Sequence, residues 1–330
     1  MGETFRAYRV EDAGDKTFRG SVQERRIDDL PPGEVLVRVH WSGVNYKDAL
    51  SATGNKAVTK EYPHTPGIDA AGVVEHSDVS EWRPGDEVIV TSYDLGMNTD
   101  GGLAEYIRVP AAWVVRRPDG LSLRESMILG TAGFTAALCV QALMDYGVHA
   151  DHGDVLVSGA TGGVGSLAVA ILSKCGYRVV AGTGKTDAAQ WLKDLGAAEI
   201  VTREELTDDS GRPLLKGRWA GSVDTVGGDI LATTLKSVAY RGGVACCGLV
   251  ASPTLNTTVM PFILRNVGLL GVDSQNTPAS IRREIWELLG TRWKPGGLEE
   301  MASEIGLDGV DGAVASLLEG GVRGRTLVRL

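Results

Sequence analysis

The residues with the clearest chemical potential lie in a glycine-rich segment near the middle of the chain. Residues 155–165 read VLVSGATGGVG, so an apolar run leads directly into a tight turn, and a helical pattern follows from Leu167. Glycines let backbone N–H groups approach a pyrophosphate, and the positive end of the next helix offsets its charge. Ala160 replaces the first glycine of the usual fingerprint, so the strand-and-helix context carries the prediction of a dinucleotide site. The alternative is a turn that binds nothing.

A second group of residues bears on which dinucleotide is bound. After the next apolar run, residues 177–181, NAD-binding folds place an acidic residue that accepts hydrogen bonds from the adenosine ribose. This sequence has Thr183, Gly184 and Lys185 there instead. A hydroxyl, a glycine and a cation suit a 2′-phosphate, so we expect NADPH to be preferred over NADH. Arg203, past a third apolar run, could lie over the adenine or add charge at the phosphate. The alternative is that Lys185 is a solvated residue of a turn.

The elements that must position these residues are of two kinds. The first 110 or so residues favour short strands, because residues 35–41 alternate apolar and polar and two short apolar runs follow. From Ser122, where a capping box with Glu125 predicts a helix start, helical segments alternate with apolar runs. That alternation predicts an α/β fold with a Rossmann-type, doubly wound parallel sheet. Further apolar runs cover residues 72–75, 87–90, 199–201, 223–226, 243–247, 269–272 and 326–330, and helical patterns cover residues 132–146, 281–289 and 312–318.

Length and composition exclude several classes of protein. At 330 residues two domains are expected, and 43% hydrophobic with 23% charged residues is typical of a soluble globular chain. A net charge of −9 argues against binding nucleic acid through the overall field. No apolar leader and no membrane-length apolar run are present, so we expect a cytoplasmic protein without membrane partners. The four cysteines form no Cys-x-x-Cys pair, and we expect them to be small buried thiols.

The arrangement resembles the medium-chain dehydrogenase/reductase superfamily, in which a β-rich N-terminal part precedes a central nucleotide-binding unit. The resemblance implies a catalytic domain over residues 1–128, built as a partly open, GroES-like β-barrel. It implies a dinucleotide-binding Rossmann domain over residues 129–271, and a return segment, residues 272–330, that completes the catalytic domain.

Zinc-dependent members of this superfamily hold the metal with a cysteine soon after an N-terminal strand and a histidine in a Gly-His-Glu triplet. The matching positions here are Asn45 and Ile68. Isoleucine cannot bind a metal, and asparagine is a poor zinc ligand beside thiolate or imidazole. We therefore expect no metal, and no alcohol oxidation that depends on Lewis-acid polarisation.

Without a metal, a reductase can still deliver hydride to the β-carbon of an α,β-unsaturated carbonyl if a donor stabilises the developing enolate. The catalytic candidates are Asn45, Tyr46 and Asp48. The Tyr46 hydroxyl can donate a hydrogen bond, and its ring can lie against nicotinamide. The alternative is that Asn45 and Asp48 cap the next helix while Tyr46 only packs.

Several longer segments are similar to the acryloyl-CoA reductase (NADPH) family, in the zinc-independent, quinone-oxidoreductase-like branch. They are residues 43–50, 66–69, 101–105, 129–140, 258–267, 271–274 and 324–328, and the similarity runs from end to end. It implies that NADPH reduces the double bond of acryloyl-CoA to give propanoyl-CoA. The alternatives are a quinone or general enone reductase with the same hydride transfer, and a non-catalytic NADPH-binding redox sensor.

The resemblance also implies which residues meet the cofactor. The pyrophosphate would be held by Thr161, Gly162, Gly163 and Val164, and the adenosine 2′-phosphate would be surrounded by Thr183, Gly184, Lys185 and Arg203. The nicotinamide side would be lined by Leu249, Ile263 and Ser274, with Tyr46 in the catalytic cleft and a further contact near Gly320. The family often has arginine at position 185, and lysine lacks its planar fork, so the cofactor preference could be less strict.

Residues 267–272 bear on assembly. They should form an edge strand of the nucleotide sheet, and an apolar edge invites pairing with a second copy. In relatives that strand joins two nucleotide-binding domains into one sheet, so the resemblance implies a homodimer.

Overall fold

The computed structural model describes residues 3–330, which divide into two compact units. The β-rich unit comprises residues up to Thr131 together with residues 275–290 and 298–330. The parallel-sheet unit comprises residues 132–274 and 291–297. The chain therefore passes from one unit to the other after residues 131 and 274. The domain boundaries predicted from the sequence lie three residues earlier, after residues 128 and 271. Residues 291–297 belong to the parallel-sheet unit, whereas the predicted return segment placed them with the catalytic domain.

Strands and helices are numbered separately, each in chain order. The strands are β1 (Thr4–Asp12), β2 (Phe18–Arg26), β3 (Val35–Val44), β4 (Asp69–Ser77), β5 (Glu87–Thr91), β6 (Tyr106–Val109), β7 (Val114–Arg116), β8 (Val155–Ser158), β9 (Val179–Gly182), β10 (Ala197–Val201), β11 (Trp219–Asp224), β12 (Val238–Cys246), β13 (Gly268–Gly271), β14 (Ala302–Gly306) and β15 (Arg325–Arg329). The α-helices are α1 (Tyr46–Ala52), α2 (Leu123–Tyr146), α3 (Gly163–Lys174), α4 (Ala189–Asp194), α5 (Gly228–Ser237), α6 (Met260–Arg265), α7 (Ala279–Gly290) and α8 (Val310–Leu318).

The β-rich unit contains the β1–β2 hairpin and a seven-stranded sheet in the order β14-β15-β3-β4-β5-β7, with β6 also paired to β3. Successive side chains of a strand point to opposite faces, and Val35, Val37 and Val39 accordingly lie in one buried core. The predicted strand at residues 35–41 is confirmed and continues to Val44. The closing strand β15 pairs antiparallel with β3, so the end of the chain does return to this sheet.

The parallel-sheet unit contains six parallel strands in the order β10-β9-β8-β11-β12-β13. The helices α3, α4, α5 and α6 each lie between consecutive strands, and among the described strands of this sheet only β10 and β11 are joined without an α-helix, through a 3-10 turn at Glu204–Leu206. This alternation confirms the doubly wound sheet. The strand order reverses between β8 and β11, so their carboxyl ends border the crevice in which such folds bind ligands. The predicted edge strand is β13, at one end of the order.

Helix α2 contains a break at Gly130, whose φ of 50° and ψ of −154° are not helical. The predicted capping box begins this helix, since Glu125 N donates to Ser122 Oγ at 3.0 Å and Ser122 N donates to Glu125 Oε2 at 2.8 Å. By length and composition alone α2 could cross a membrane, but 72% of its most apolar window is buried inside the folded chain. That burial is typical of a core helix.

Candidate active site

The glycine-rich turn leads from β8 into α3 as predicted. Gly159 has a φ of +63°, and a Cβ at Gly165 would lie 2.2 Å from the Gly159 carbonyl oxygen, so both positions require glycine. The first intrahelical hydrogen bond runs from Ser166 N to Gly162 O at 2.9 Å. The N–H groups of the preceding residues, 163–165, are therefore the first-turn donors that a pyrophosphate can accept from.

The residues predicted for the 2′-phosphate lie together at the end of β9. The hydroxyls of Thr161 and Thr183 are 3.5 Å apart, and Lys185 N donates to Thr183 Oγ1 at 3.0 Å. A Cβ at Gly184 would lie 3.3 Å from a guanidinium nitrogen of Arg203, so that side chain lies directly against the backbone of Gly184. Two hydroxyls, the Arg203 guanidinium and the backbone of Lys185 thus lie at the end of β9, an arrangement that suits a phosphate.

Ser158 and Asp224, which could not be singled out from the sequence, join the carboxyl ends of β8 and β11 by a hydrogen bond. Ser158 Oγ donates to Asp224 Oδ1 at 2.7 Å, and Gly227 N donates to Asp224 Oδ2 at 2.8 Å. Thr225 Oγ1 donates to Ser158 O at 2.9 Å. Burial raises the pKa of Asp224 above its ordinary value. These contacts fix the relative position of the two strand ends that flank the glycine-rich turn.

The remaining predicted cofactor residues are spread over both units. Leu249, after β12, and Ile263, on α6, are 62% and 71% exposed. Ser274 is the last residue of the long segment of the parallel-sheet unit, and Gly320, just beyond α8 with a φ of +71°, belongs to the β-rich unit. Their contacts with a cofactor stay predictions.

The three catalytic candidates lie at the junction of β3 and α1, in very different surroundings. Tyr46 is the first residue of α1 and is 45% exposed, whereas Asn45 is only 9% exposed and Asp48 is 0% exposed. Asp48 Oδ2 accepts a hydrogen bond from Asn45 N at 2.7 Å, which is the contact of a helix cap. The structure therefore presents Tyr46 to solvent while its neighbours hold the start of the helix.

Asp48 also joins two loops. Its Oδ1 accepts hydrogen bonds from Gly67 N at 3.1 Å and Ile68 N at 2.9 Å, so one carboxyl group connects the segments around Asn45 and Ile68. Burial raises its pKa from 3.8 to about 7, against the opposing effect of these hydrogen bonds. The two positions at which zinc-dependent relatives carry ligands are thus held together here by a carboxyl group. Among residues 3–330 there is no group of three or more His, Cys, Asp or Glu side chains that could hold a metal ion.

Asp69 is the centre of a buried polar cluster that sequence reasoning missed. It accepts hydrogen bonds from Thr131 N at 2.9 Å, Thr131 Oγ1 at 2.6 Å, Asn45 Nδ2 at 2.8 Å and Arg325 Nη2 at 3.3 Å. Asn45 Nδ2 additionally donates to Gly43 O at 3.2 Å, so both amide hydrogens have acceptors inside the protein. Asp69, Thr131 and Arg325 all lie in segments that resemble the reductase family, which is the signal that could have drawn attention to them.

Comparison with known families finds one match in the first part of the chain and another in the second part. The alcohol dehydrogenase GroES-like domain family matches residues 31–119, and the family described as zinc-binding dehydrogenase matches residues 163–290.

Three related proteins match almost the whole chain. "Putative quinone oxidoreductase YhfP" of Bacillus subtilis is 45% identical, over 100% of both chains. Its crystal structure, with NAD bound, has a TM-score of 0.97. "Probable acrylyl-CoA reductase AcuI" of Escherichia coli is 47% identical, over 94% of this chain and 95% of its own. The yhdH oxidoreductase of Salmonella enterica, solved in complex with NADP, is 46% identical over 98% of this chain and 99% of its own, with a TM-score of 0.95. The chain therefore belongs to the medium-chain dehydrogenase/reductase family of oxidoreductases, in the branch of the acrylyl-CoA reductases and related quinone oxidoreductases.

Proposed function

We propose that this protein is an NADPH-dependent reductase of the activated double bond of acryloyl-CoA. The observation that carries the cofactor assignment is the end of β9, where the backbone of Lys185 contacts Thr183 and the Arg203 guanidinium lies against Gly184. Residues 182–186 contain no Asp or Glu that could accept hydrogen bonds from the ribose. The substrate assignment is supported by identity of 47% to a protein named as an acrylyl-CoA reductase. Bound NADPH would supply the hydride equivalent.

The parallel-sheet unit provides binding. Backbone N–H donors of the first turn of α3 would hold the pyrophosphate, and the positive end of that helix would favour its negative charge. Thr183 and Thr161 would supply hydroxyls, and Lys185 and Arg203 would supply positive charge, to the 2′-phosphate.

The β-rich unit provides Tyr46. Hydride addition to the β-carbon places negative charge on the thioester oxygen, and a neutral hydroxyl can stabilise that charge by donating a hydrogen bond. A proton from solvent then reaches the α-carbon and completes the reduction. Tyr46 suits this role because its side chain is 45% exposed at the start of α1. Asn45 and Asp48 act through position, because their polar atoms are occupied by Asp69, Arg325 and the backbone of residues 45, 67 and 68.

A second candidate is reduction of quinones by the same hydride transfer, favoured by the identity of 45% to a protein named as a quinone oxidoreductase. Both substrates need a hydride and an oxygen-stabilising donor, so the site geometry suits either. A quinone lacks the long phosphorylated arm of coenzyme A.

The deciding experiment compares NADPH consumption with acryloyl-CoA, crotonyl-CoA and a benzoquinone at equal concentrations. We expect kcat/KM to be highest for acryloyl-CoA and to fall at least tenfold for crotonyl-CoA, whose extra methyl group must be accommodated. A benzoquinone turned over faster than either thioester would replace the first proposal by the second. NADPH binding without consumption of any of the three would identify a redox sensor instead.

A further inference from the structure

Arg325 is a buried cation within the cluster around Asp69. Its side chain is 3% exposed, and its Nε donates to Ile128 O at 3.1 Å. Moving a guanidinium out of water costs several kcal/mol, and apolar residues of similar volume are often as stable as a buried ion pair. Stability alone therefore gives little reason for an arginine on β15, and the geometry that its five donors impose is the more informative property.

Two glycines make room for this guanidinium. A Cβ at Gly43 would lie 2.8 Å from Arg325 Nη2. A Cβ at Gly130 would lie 2.9 Å from the same nitrogen and 2.4 Å from Asp69 Oδ2. Strand β3 and the break in α2 are thus both shaped to admit the pair formed by Arg325 and Asp69.

The pair decides which way the Asn45 amide points. Arg325 Nη1 donates to Asn45 Oδ1 at 2.9 Å, and Asn45 Nδ2 donates to Asp69 Oδ2 at 2.8 Å. A guanidinium has only donors and an ionised carboxylate only acceptors, so the reverse orientation of the amide would lose both hydrogen bonds. Asn45 is the residue before α1, and Tyr46 is the first residue within it.

We infer that Arg325 is a positioning residue for the reduction: it fixes Asn45, and through Asn45 it holds the start of α1 so that Tyr46 is presented in one orientation. The expected effect of Arg325 on the rate of reduction rests on the proposed function. Because its side chain is only 3% exposed, Arg325 acts through Asn45 rather than by touching a ligand.

The test compares Arg325→Lys and Arg325→Met with Arg329→Met, a control on the same strand whose side chain is 72% exposed. Lysine keeps the charge but cannot reach Asn45 and Asp69 with separate donors. We expect kcat on acryloyl-CoA to fall at least tenfold in Arg325→Lys while KM for NADPH changes less than twofold, and Arg329→Met to be unchanged. If Arg325→Met fails to fold, Arg325→Lys carries the comparison.

A double-mutant cycle separates positioning from a structural role. If Arg325 acts through Tyr46, Arg325→Lys should cost less than threefold in kcat when Tyr46 is already phenylalanine. Additive losses, or a loss of kcat that only follows the fraction of folded protein, would overturn the inference.

Hydrogen exchange measured by NMR tests the role of Arg325 independently of the proposed reductase activity. The side-chain amide protons of Asn45, assigned by NMR from their absence in Asn45→Ala, should exchange slowly in the wild type and quickly in Arg325→Lys. If the wild type reduces none of the three substrates, the proposed function is wrong, and this exchange rate still decides whether Arg325 holds Asn45. Equal exchange in the two proteins would contradict the inference.

Discussion

At the scale of single residues, three near neighbours in the chain have very different surroundings. Asp48 is fully buried and accepts three backbone hydrogen bonds, Asn45 is held by Asp69 and Arg325, and Tyr46 remains exposed between them. Asn45 as a donor to substrate would have to give up a hydrogen bond to Asp69 or to Gly43 O. The exposed hydroxyl is the group that can reach a ligand without that cost.

Tyr46→Phe tests the hydroxyl. The ring is retained, so folding and NADPH binding should be unchanged, while kcat on acryloyl-CoA should fall tenfold or more because the enolate loses its donor. Turnover at saturating NADPH is measured beside a thermal melt. Wild-type turnover in the variant would rule out an essential hydroxyl and leave backbone donors as the source of stabilisation.

Lys185→Ala tests the cofactor preference. A hydrogen bond to a charged group contributes about 1.5–3 kcal/mol, so NADPH affinity should fall about ten- to hundredfold and NADH affinity should barely change. Lys193→Ala, an exposed lysine of the same unit, serves as the control. Titration with each cofactor gives the dissociation constants. Equal losses for NADPH and NADH would show that Lys185 does not contact the 2′-phosphate.

Asp48 makes stability depend on pH. Its pKa is raised from 3.8 to about 7 by burial, so between these values the folded protein binds more protons than the unfolded chain. The free energy of unfolding should therefore fall as pH rises through this range, by about 1.4 kcal/mol per pH unit from this group, and be flat above it.

Asp48→Asn removes that titration. Between roughly pH 5 and pH 8, urea unfolding should show the wild type losing about 3 kcal/mol relative to Asp48→Asn, whereas the exposed-site control Asp229→Asn should keep the wild-type slope. A wild-type advantage that instead grows with pH would mean that the three N–H donors outweigh burial and keep Asp48 ionised.

At the scale of elements, the break in α2 connects helix and site. A continuous helix would direct Thr131 N along the helix axis, but the conformation of Gly130 turns it towards Asp69. The helix thereby contributes two of the hydrogen bonds that Asp69 accepts. Strands β3, β4 and β15 bring the other partners to the same carboxylate, since β3 pairs with both of its neighbours.

Gly130→Ala should disrupt this arrangement. A Cβ there would lie 2.4 Å from Asp69 Oδ2, in addition to the strain of a positive φ, so we expect a loss of about 3–5 kcal/mol in unfolding free energy. Gly147→Ala isolates the strain, because Gly147 has a φ of +95° and its Cβ would meet nothing within 4 Å. That control should cost only about 1–2 kcal/mol. Equal losses in chemical denaturation would mean that the contact with Asp69 is easily relieved.

At the scale of the whole molecule, β13 is an unpaired edge of the parallel sheet among the described strands. Leu269 on this strand is 39% exposed, and Leu264 on the preceding α6 is 58% exposed. An exposed apolar edge favours pairing with an identical edge, so we propose a homodimer that continues the sheet from one copy to the next.

Leu269→Lys should weaken this dimer at least tenfold, because it places like charges at a self-complementary edge. Ile281→Lys on α7, at a position 43% exposed in the other unit, is the control and should leave the dimer intact. Sedimentation velocity across a concentration series measures both. A wild type that is monomeric throughout, or a dimer unaffected by Leu269→Lys, would contradict this assembly.

The sequence by itself determined the parallel sheet, the glycine-rich turn and the candidate phosphate site at the end of β9. These depend on apolar periodicity and turn chemistry within short segments, so each can be recognised from its own residues. The sequence also drew attention to Asn45 and Asp48, but it could not distinguish catalysis from helix capping, because an amide and a carboxylate suit both. Only the tertiary structure showed which groups these two side chains contact. Asp69, Thr131 and Arg325 come from widely separated segments, and pairing of β3 with β4 and β15 places them around one carboxylate. Long-range strand pairing of this kind leaves no local pattern, because the hydrogen bonds of a buried charge are set by whichever strands lie beside it.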